Sequence, residues 1–143
     1  MILPLLAVFI GGVAIAAQAP LNANLARILG GPLPAAAVSF GVGFVLLLAL
    51  SLLTGTANYA RLTAAPPVLW LGGLLGAWYV TSVIWGIPTL GALSAIAVLI
   101  LGQMVGALVL DSVGAFGLAV QQITPQRLAA AGLVAAGLVL SRF

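Results

Sequence analysis

The chain has 143 residues, of which 64% are hydrophobic and 3% are charged, and its mean hydropathy is +1.37. A soluble domain carries roughly 25% charged residues, so this chain has too few for a water-compatible surface, and we predict an all-α, multi-pass membrane protein. The chain has one acid and neither cysteine nor histidine, which argues against an enzyme and against metal or cofactor sites. Its four basic residues are spread along the chain, which argues against nucleic-acid binding.

Five apolar segments are candidates for membrane-spanning helices, each of which needs about 20 residues. They run over about residues 2–26, 34–53, 67–85, 90–110 and 125–140, and the last is the shortest. The first segment has no basic stretch before it, and Gln18-Ala19-Pro20 is a poor cleavage site, so we expect a retained helix rather than a signal peptide. We predict a single transmembrane domain of these five helices over residues 1–143.

The breaks between the helices have local causes. Glycine ends helices and proline cannot continue them, so Gly30-Gly31-Pro32 should end the first helix and Gly86-Ile87-Pro88 should form a tight turn after the third. Residues 54–58 form a polar loop, and residues 112–123, too few to span, form an interfacial loop. Thr124-Pro125 is typical of an N-cap followed by the first residue of a helix.

The arginines bear on the orientation of the chain in the membrane. Cytoplasmic loops carry an excess of basic residues. Five alternating helices would place Arg61 and Arg127 on one side and Arg27 and Arg142 on the other, a count of two against two. Either a small residual bias selects one orientation, or copies insert both ways in a dual topology. An unbiased chain could pair with an inverted copy of itself and so supply both halves of an inverted-repeat transporter.

The first helix contains the densest group of polar residues. Gln18 and Asn22 are four residues apart and share a helix face. Pro20 lies between them, should kink the helix, and leaves the carbonyl of Ala16 without its donor. Together these groups could bind a polar solute in a cavity, because broken helices beside amides often build transporter sites. Alternatively, the amides bond to neighbouring helices and stabilise packing.

Four more residues are candidates for the substrate pathway. Trp78 and Tyr79 lie deep in the third helix and could offer aromatic faces to an organic or cationic solute. Gln103 could be a second pocket amide, and Ser39 a polar group on the second helix. For each of them, a role in helix packing alone is the alternative.

Small and charged residues indicate contacts between helices. Glycines on the third and fourth helices suggest close helix approach: Gly72, Gly76, Gly102 and Gly106. Asp111 ends the fourth helix and Arg127 begins the fifth on the same side of the membrane. We expect an ion pair that ties these helix ends together, and the alternative is a proton- or cation-coupling role for the acid.

Residues 18–27, QAPLNANLAR, resemble the helix-one signature of the small five-helix, YdcZ-like branch of the drug/metabolite transporter superfamily. Further short motifs recur in the family's order: residues 39–43 (SFGVG), 71–77 (LGGLLGA), 88–91 (PTLG), Gly102-Gln103 and Asp111. The resemblance covers nearly the whole chain. It departs after Asp111, where the family pattern has a histidine and this chain has Ser112.

The resemblance implies half of a ten-helix, inverted-repeat transporter fold in the bacterial inner membrane, paired as an antiparallel homodimer or with a related chain. It also implies kinship to small multidrug-resistance exporters, which use a glutamate in helix one to bind cations and protons. The first helix here has no acid, so simple proton/cation antiport is not supported. The predicted function is a small transporter half that moves a small solute; the alternatives are a passive channel and a non-transporting membrane subunit.

Overall fold

The computed structural model describes residues 2–141, and every regular element in that range is a helix, which confirms the all-α prediction. The main helices are α1 (Ile2–Leu29), α2 (Pro32–Leu53), α3 (Leu71–Leu90), α4 (Ala92–Val113) and α5 (Pro125–Leu140). Short 3₁₀ helices lie at Tyr59–Ala64, Pro67–Trp70 and Ala115–Gly117. Arg142, one of the four arginines counted for the orientation of the chain, lies outside the described residues.

Four helical segments are long and apolar enough to cross a membrane: Ile2–Leu29, Pro32–Leu53, Pro67–Leu90 and Ala92–Val113. Almost all of their apolar side chains are exposed in the isolated chain, as expected for helices whose surroundings are lipid. The chain is therefore an integral, multi-pass membrane protein. The fifth helix, α5, has 16 residues and rises roughly 24 Å, less than the ~30 Å hydrocarbon core. A fifth crossing stays a prediction.

The chain folds as two compact units, Met1–Pro88 and Thr89–Phe143. In the first unit α1 packs along α2, and α3 contributes to a core of Ala35, Ala36, Val80 and Ile84. Alanines at a helix contact let the backbones approach closely. In the second unit α4 packs against α5. A single domain that includes both units stays a prediction.

The turn between α1 and α2 forms where the sequence predicts it. Gly30 adopts a left-handed conformation with φ of 82°, and the Gly31 N–H donates a 2.9 Å hydrogen bond to the Ala26 carbonyl. This is the Schellman arrangement, which satisfies a carbonyl in the last turn of a helix. Pro32 then begins α2, because proline lacks only an N–H that the first turn does not use. This short turn allows α2 to pack along α1.

The turn predicted at Gly86-Ile87-Pro88 is wrong, because these three residues are helical. Pro88 removes a single backbone donor, to the carbonyl of Ile84, and membrane helices tolerate such interior prolines. The break falls instead at Gly91, whose φ of 76° is readily available only to glycine. The third helix therefore extends to Leu90, and α4 begins later than predicted.

The segment between α4 and α5 folds back onto the end of α4. Helix α4 continues through Ser112 and Val113, which were predicted to lie in the interfacial loop. The loop therefore begins at Gly114, two residues later than predicted, and Gly114 adopts a left-handed φ of 62°. The Gln121 N–H donates a 2.9 Å hydrogen bond to the Asp111 carbonyl. At the start of α5 the Thr124 hydroxyl oxygen accepts a 3.3 Å hydrogen bond from the Arg127 N–H, which confirms the predicted N-cap.

Candidate functional site

Gln18 of α1 and Ser39 of α2 meet across the contact between these helices. The Gln18 side-chain Nε2 donates to the Ser39 Oγ at 3.4 Å, a length at the weak end of the hydrogen-bond range. Both residues belong to the first unit. Because Gln18 is exposed and the bond is long, this pair can exchange its mutual contact for a better one with a solute.

An open cleft of about 390 Å³ lies beside this pair. Its walls are Gln18, Ser39, Phe40, Gly43, Phe44 and Leu47. The α2 residues share one side of the helix because they recur at spacings of three to four residues. The Phe40 ring packs against α3 at Gly76, since a Cβ built on Gly76 would lie 3.5 Å from Phe40 Cζ. The cleft therefore combines two hydrogen-bonding side chains with two aromatic rings and no charge.

Asn22 lies one turn along α1 from Gln18 and is only 7% exposed. Among residues 2–141, no side-chain hydrogen bond involves its amide. Asn22 lines a small second cavity between α1 and α3, of about 10 Å³, close to the minimum of about 10–15 Å³ that one water molecule needs. The cavity walls are Ile15, Gln18, Ala19, Asn22, Tyr79, Val80, Val83 and Ile84. Gln18 thus lines both cavities, with Asn22 on one side and Ser39 on the other.

The structure brings together four of the six predicted pathway residues: Gln18, Asn22, Ser39 and Tyr79. It separates the other two from these cavities. The Trp78 side chain is 74% exposed and lines neither cavity. Gln103 is exposed on α4 in the second unit and also lines neither. The sequence interpretation missed Phe40 and Phe44, although their four-residue spacing on α2 puts them on one face.

The glycines predicted to pack helices divide into two groups. At Gly76 an added Cβ would touch the Phe40 ring, so this glycine makes room for a contact between α2 and α3. At Gly72, Gly102 and Gly106 an added Cβ would meet nothing within 4 Å among the described residues. These three glycines therefore show no close helix contact of the predicted kind among residues 2–141, and their contact with a second chain stays a prediction.

The remaining predicted residues take no part in the two cavities. Pro20 lies inside α1, which is continuous from Ile2 to Leu29. In the second unit the Arg127 guanidinium pairs with the Asp111 carboxylate. The single acid of the sequence therefore lies in the second unit, at the end of α4. The cleft beside Gln18 has no carboxylate among its walls.

Residues 3–140 match the model of a protein family described as "Putative inner membrane exporter, YdcZ". No curated protein and no solved structure matches the chain. The matched range covers nearly the whole sequence and includes every residue of both cavities. The match confirms the resemblance that the motifs indicated. It describes a transporter of the inner membrane rather than an enzyme.

Proposed function

The chain belongs to the YdcZ family, whose members are described as inner membrane exporters, and we propose that it is half of a solute transporter. Two copies inserted in opposite orientations form the working unit. They move a small organic solute across the inner membrane by alternating access, with α1 and α2 of each copy contributing to the pathway.

The observation that carries this proposal is the set of amides on α1. Asn22 is nearly buried without a hydrogen bond among residues 2–141, and Gln18 has only a 3.4 Å bond to Ser39. Among the described residues no enclosed side-chain nitrogen or oxygen lacks a hydrogen-bond partner, so the amide atoms of Asn22 face the cavity that this residue lines. Donors and acceptors that line a cavity and are not held by strong bonds within the protein are available to orient a solute.

The lining of the cleft indicates the chemistry of the solute. Neither cavity has a charged side chain, and α1 carries no acid, so a cation would find no counterion there. Phe40 and Phe44 offer apolar aromatic faces, while Gln18 and Ser39 offer hydrogen bonds. The cleft volume of about 390 Å³ falls in the range of small-molecule sites. We therefore propose an uncharged solute with a flat apolar part and an amide-like polar group.

Two features support the inverted pair. The arginines divide two against two between the predicted sides of the membrane, which gives the chain little reason to insert one way only. The glycines at positions 72, 102 and 106 leave open space for a helix of a second chain, and small residues favour such close approach in lipid. Transporters assembled from inverted halves place their substrate site where the halves meet.

The experiment that tests the proposal compares two solutes of nearly the same shape, one uncharged and one cationic. Nicotinamide is flat, uncharged and carries an amide; 1-methylnicotinamide has nearly the same shape and a positive charge. In proteoliposomes, corrected for leak with protein-free liposomes, we expect saturable nicotinamide uptake that accelerates when unlabelled nicotinamide is present inside. Uptake that rises linearly without acceleration would indicate a channel. No uptake, together with a stable complex with another membrane chain, would indicate a non-transporting subunit. Preference for the cation would contradict the proposed solute class.

A further inference from the structure

A third cavity, of about 400 Å³, lies between the ends of α1 and α3. Its walls are Pro20, Ala23, Asn24, Arg27, Ile87 and Pro88. None of these residues lines the two cavities beside Gln18. Pro20 and Asn24 each lie two residues beyond Gln18 and Asn22, which turns them roughly 200° around α1. The cavity is therefore a separate site on another face of the same helix.

The polar groups in this cavity are predominantly hydrogen-bond donors. The Arg27 guanidinium donates from Nη2 to the Asn24 Oδ1. That bond uses one of the five N–H groups that a guanidinium carries, and a guanidinium accepts none. Since the Asn24 oxygen is occupied by Arg27, its NH₂ group remains available as a further donor. The pair presents a positively charged, donor-rich surface to the cavity.

The chain supplies no carboxylate side chain for Arg27. Its single acidic residue is Asp111, and that carboxylate is paired with Arg127. The negative end of the α1 dipole favours a cation near Arg27, but this effect uses none of the guanidinium donors. The Ala26 carbonyl in the last turn already accepts from Gly31. Among residues 2–141, neither a carboxylate nor a helix carbonyl accepts from the remaining guanidinium donors of Arg27, which lines the cavity.

We infer that this cavity binds an anion, a carboxylate or phosphate group attached to a small apolar part. The planar guanidinium fork of Arg27 matches the two oxygens of such a group, and the Asn24 amide adds a third donor. Ala23, Ile87 and the two prolines form apolar walls for the rest of the molecule. A soluble organic anion and the headgroup of an acidic lipid share this chemistry. The inference requires neither the inverted pair nor transport.

Calorimetric titration of the purified chain in a neutral detergent tests the soluble source. Butyrate and inorganic phosphate are the probes, at constant ionic strength in chloride. Arg27→Lys keeps the charge but removes the planar fork, and we expect binding about tenfold weaker than in the native chain. Asn24→Ala should also weaken binding. Arg61→Lys makes the same exchange on an exposed 3₁₀ segment and should leave binding unchanged.

Native mass spectrometry tests the lipid source. The protein is released from nanodiscs of phosphatidylcholine with or without phosphatidylglycerol, and retained phosphatidylglycerol is counted. We expect Arg27→Lys and Asn24→Ala to reduce the anion bound in at least one of the two experiments. Binding by the native chain in neither experiment, or equal binding by all variants in both, would overturn the inference. Asn24→Ala keeps every charge, so it still tests the inference if an Arg27 variant fails to fold. Absence of nicotinamide transport would leave the inference about this anion site unaffected.

Discussion

The guanidinium of Arg127 pairs with the carboxylate of Asp111 and joins the first turn of α5 to the last turn of α4. The two side chains are 30% and 27% exposed, respectively. The Arg127 Nη1 also donates to the Gln122 carbonyl at 3.5 Å, and its backbone N–H donates to the Thr124 hydroxyl oxygen. Arg127 therefore contacts the end of α4 once, at Asp111, and the connecting segment twice, at Gln122 and Thr124, which makes the pair part of a network rather than an isolated surface contact.

Breaking this pair should destabilise the second unit. We expect Asp111→Asn to cost about 1 kcal/mol, because Arg127 loses its charged partner, and to lower the thermal unfolding midpoint in detergent. Arg61→Gln removes an arginine that forms no ion pair among the described residues and should have little effect. The double variant Asp111→Asn with Arg127→Gln should be less destabilised than the sum of the two single changes. Strict additivity would show that the two charges are not coupled.

Gly114 is the position where the end of α4 depends most on glycine. Its φ is +62°, and an added Cβ would lie 2.7 Å from Val120 Cγ2 and 3.1 Å from the Leu118 carbonyl oxygen. We expect Gly114→Ala to cost about 2 kcal/mol or more, from the left-handed conformation and the collision together. Gly117 has a φ of +81° with open space around it. Gly117→Ala should therefore show only the part of the stability loss that comes from the left-handed conformation. Equal losses at both positions would mean that the collision relaxes freely.

The inverted pair predicts that the loop after α2 is found on both sides of the membrane. A cysteine introduced at Asn58, in a chain that otherwise has none, should react with an impermeant thiol reagent in about half of the molecules from each side. Intact and inverted vesicles supply the two measurements. Labelling from one side alone would contradict the homodimer and leave pairing with a related chain.

Removing the arginines from one side should fix the orientation. Arg61→Ala combined with Arg127→Ala takes both basic residues from that predicted side, so we expect the Asn58 cysteine to become accessible from one side only. The double change also breaks the ion pair with Asp111. Asp111→Asn breaks the same pair without altering the arginine count, and it should keep labelling from both sides. Mixed labelling in the arginine variant would show that loop arginines do not set the topology.

The features that sequence predicted correctly depend on the chemistry of a few neighbouring residues. The Gly30-Gly31-Pro32 turn follows from a glycine that accepts positive φ and a proline that begins a helix. The Thr124 cap follows in the same way from a hydroxyl three residues before an unsatisfied N–H. The grouping of Gln18 with Asn22 needed only the periodicity of one helix.

The features that sequence missed depend on which helix faces meet. These helices are apolar on all sides, so no hydrophobic stripe marks the face that contacts a neighbour. Phe40 and Phe44 therefore could not be distinguished from other apolar residues of α2, and Trp78 could not be recognised as exposed. The end of α3 was missed for another reason: interior proline is a weaker signal in membrane helices, and the break needed the left-handed Gly91 instead.

The most direct test is nicotinamide counterflow by Gln18→Leu, since Gln18 lines both the cleft and the smaller cavity, measured together with the assembled fraction of the same preparation by native mass spectrometry. Leucine fills a similar volume and removes the amide. We expect counterflow to fall to the level of protein-free liposomes while assembly is unchanged. Gln103→Leu removes an exposed amide that lines neither cavity beside Gln18, and it should keep both. Counterflow that persists in Gln18→Leu, or assembly lost in step with counterflow, would contradict a solute site on α1.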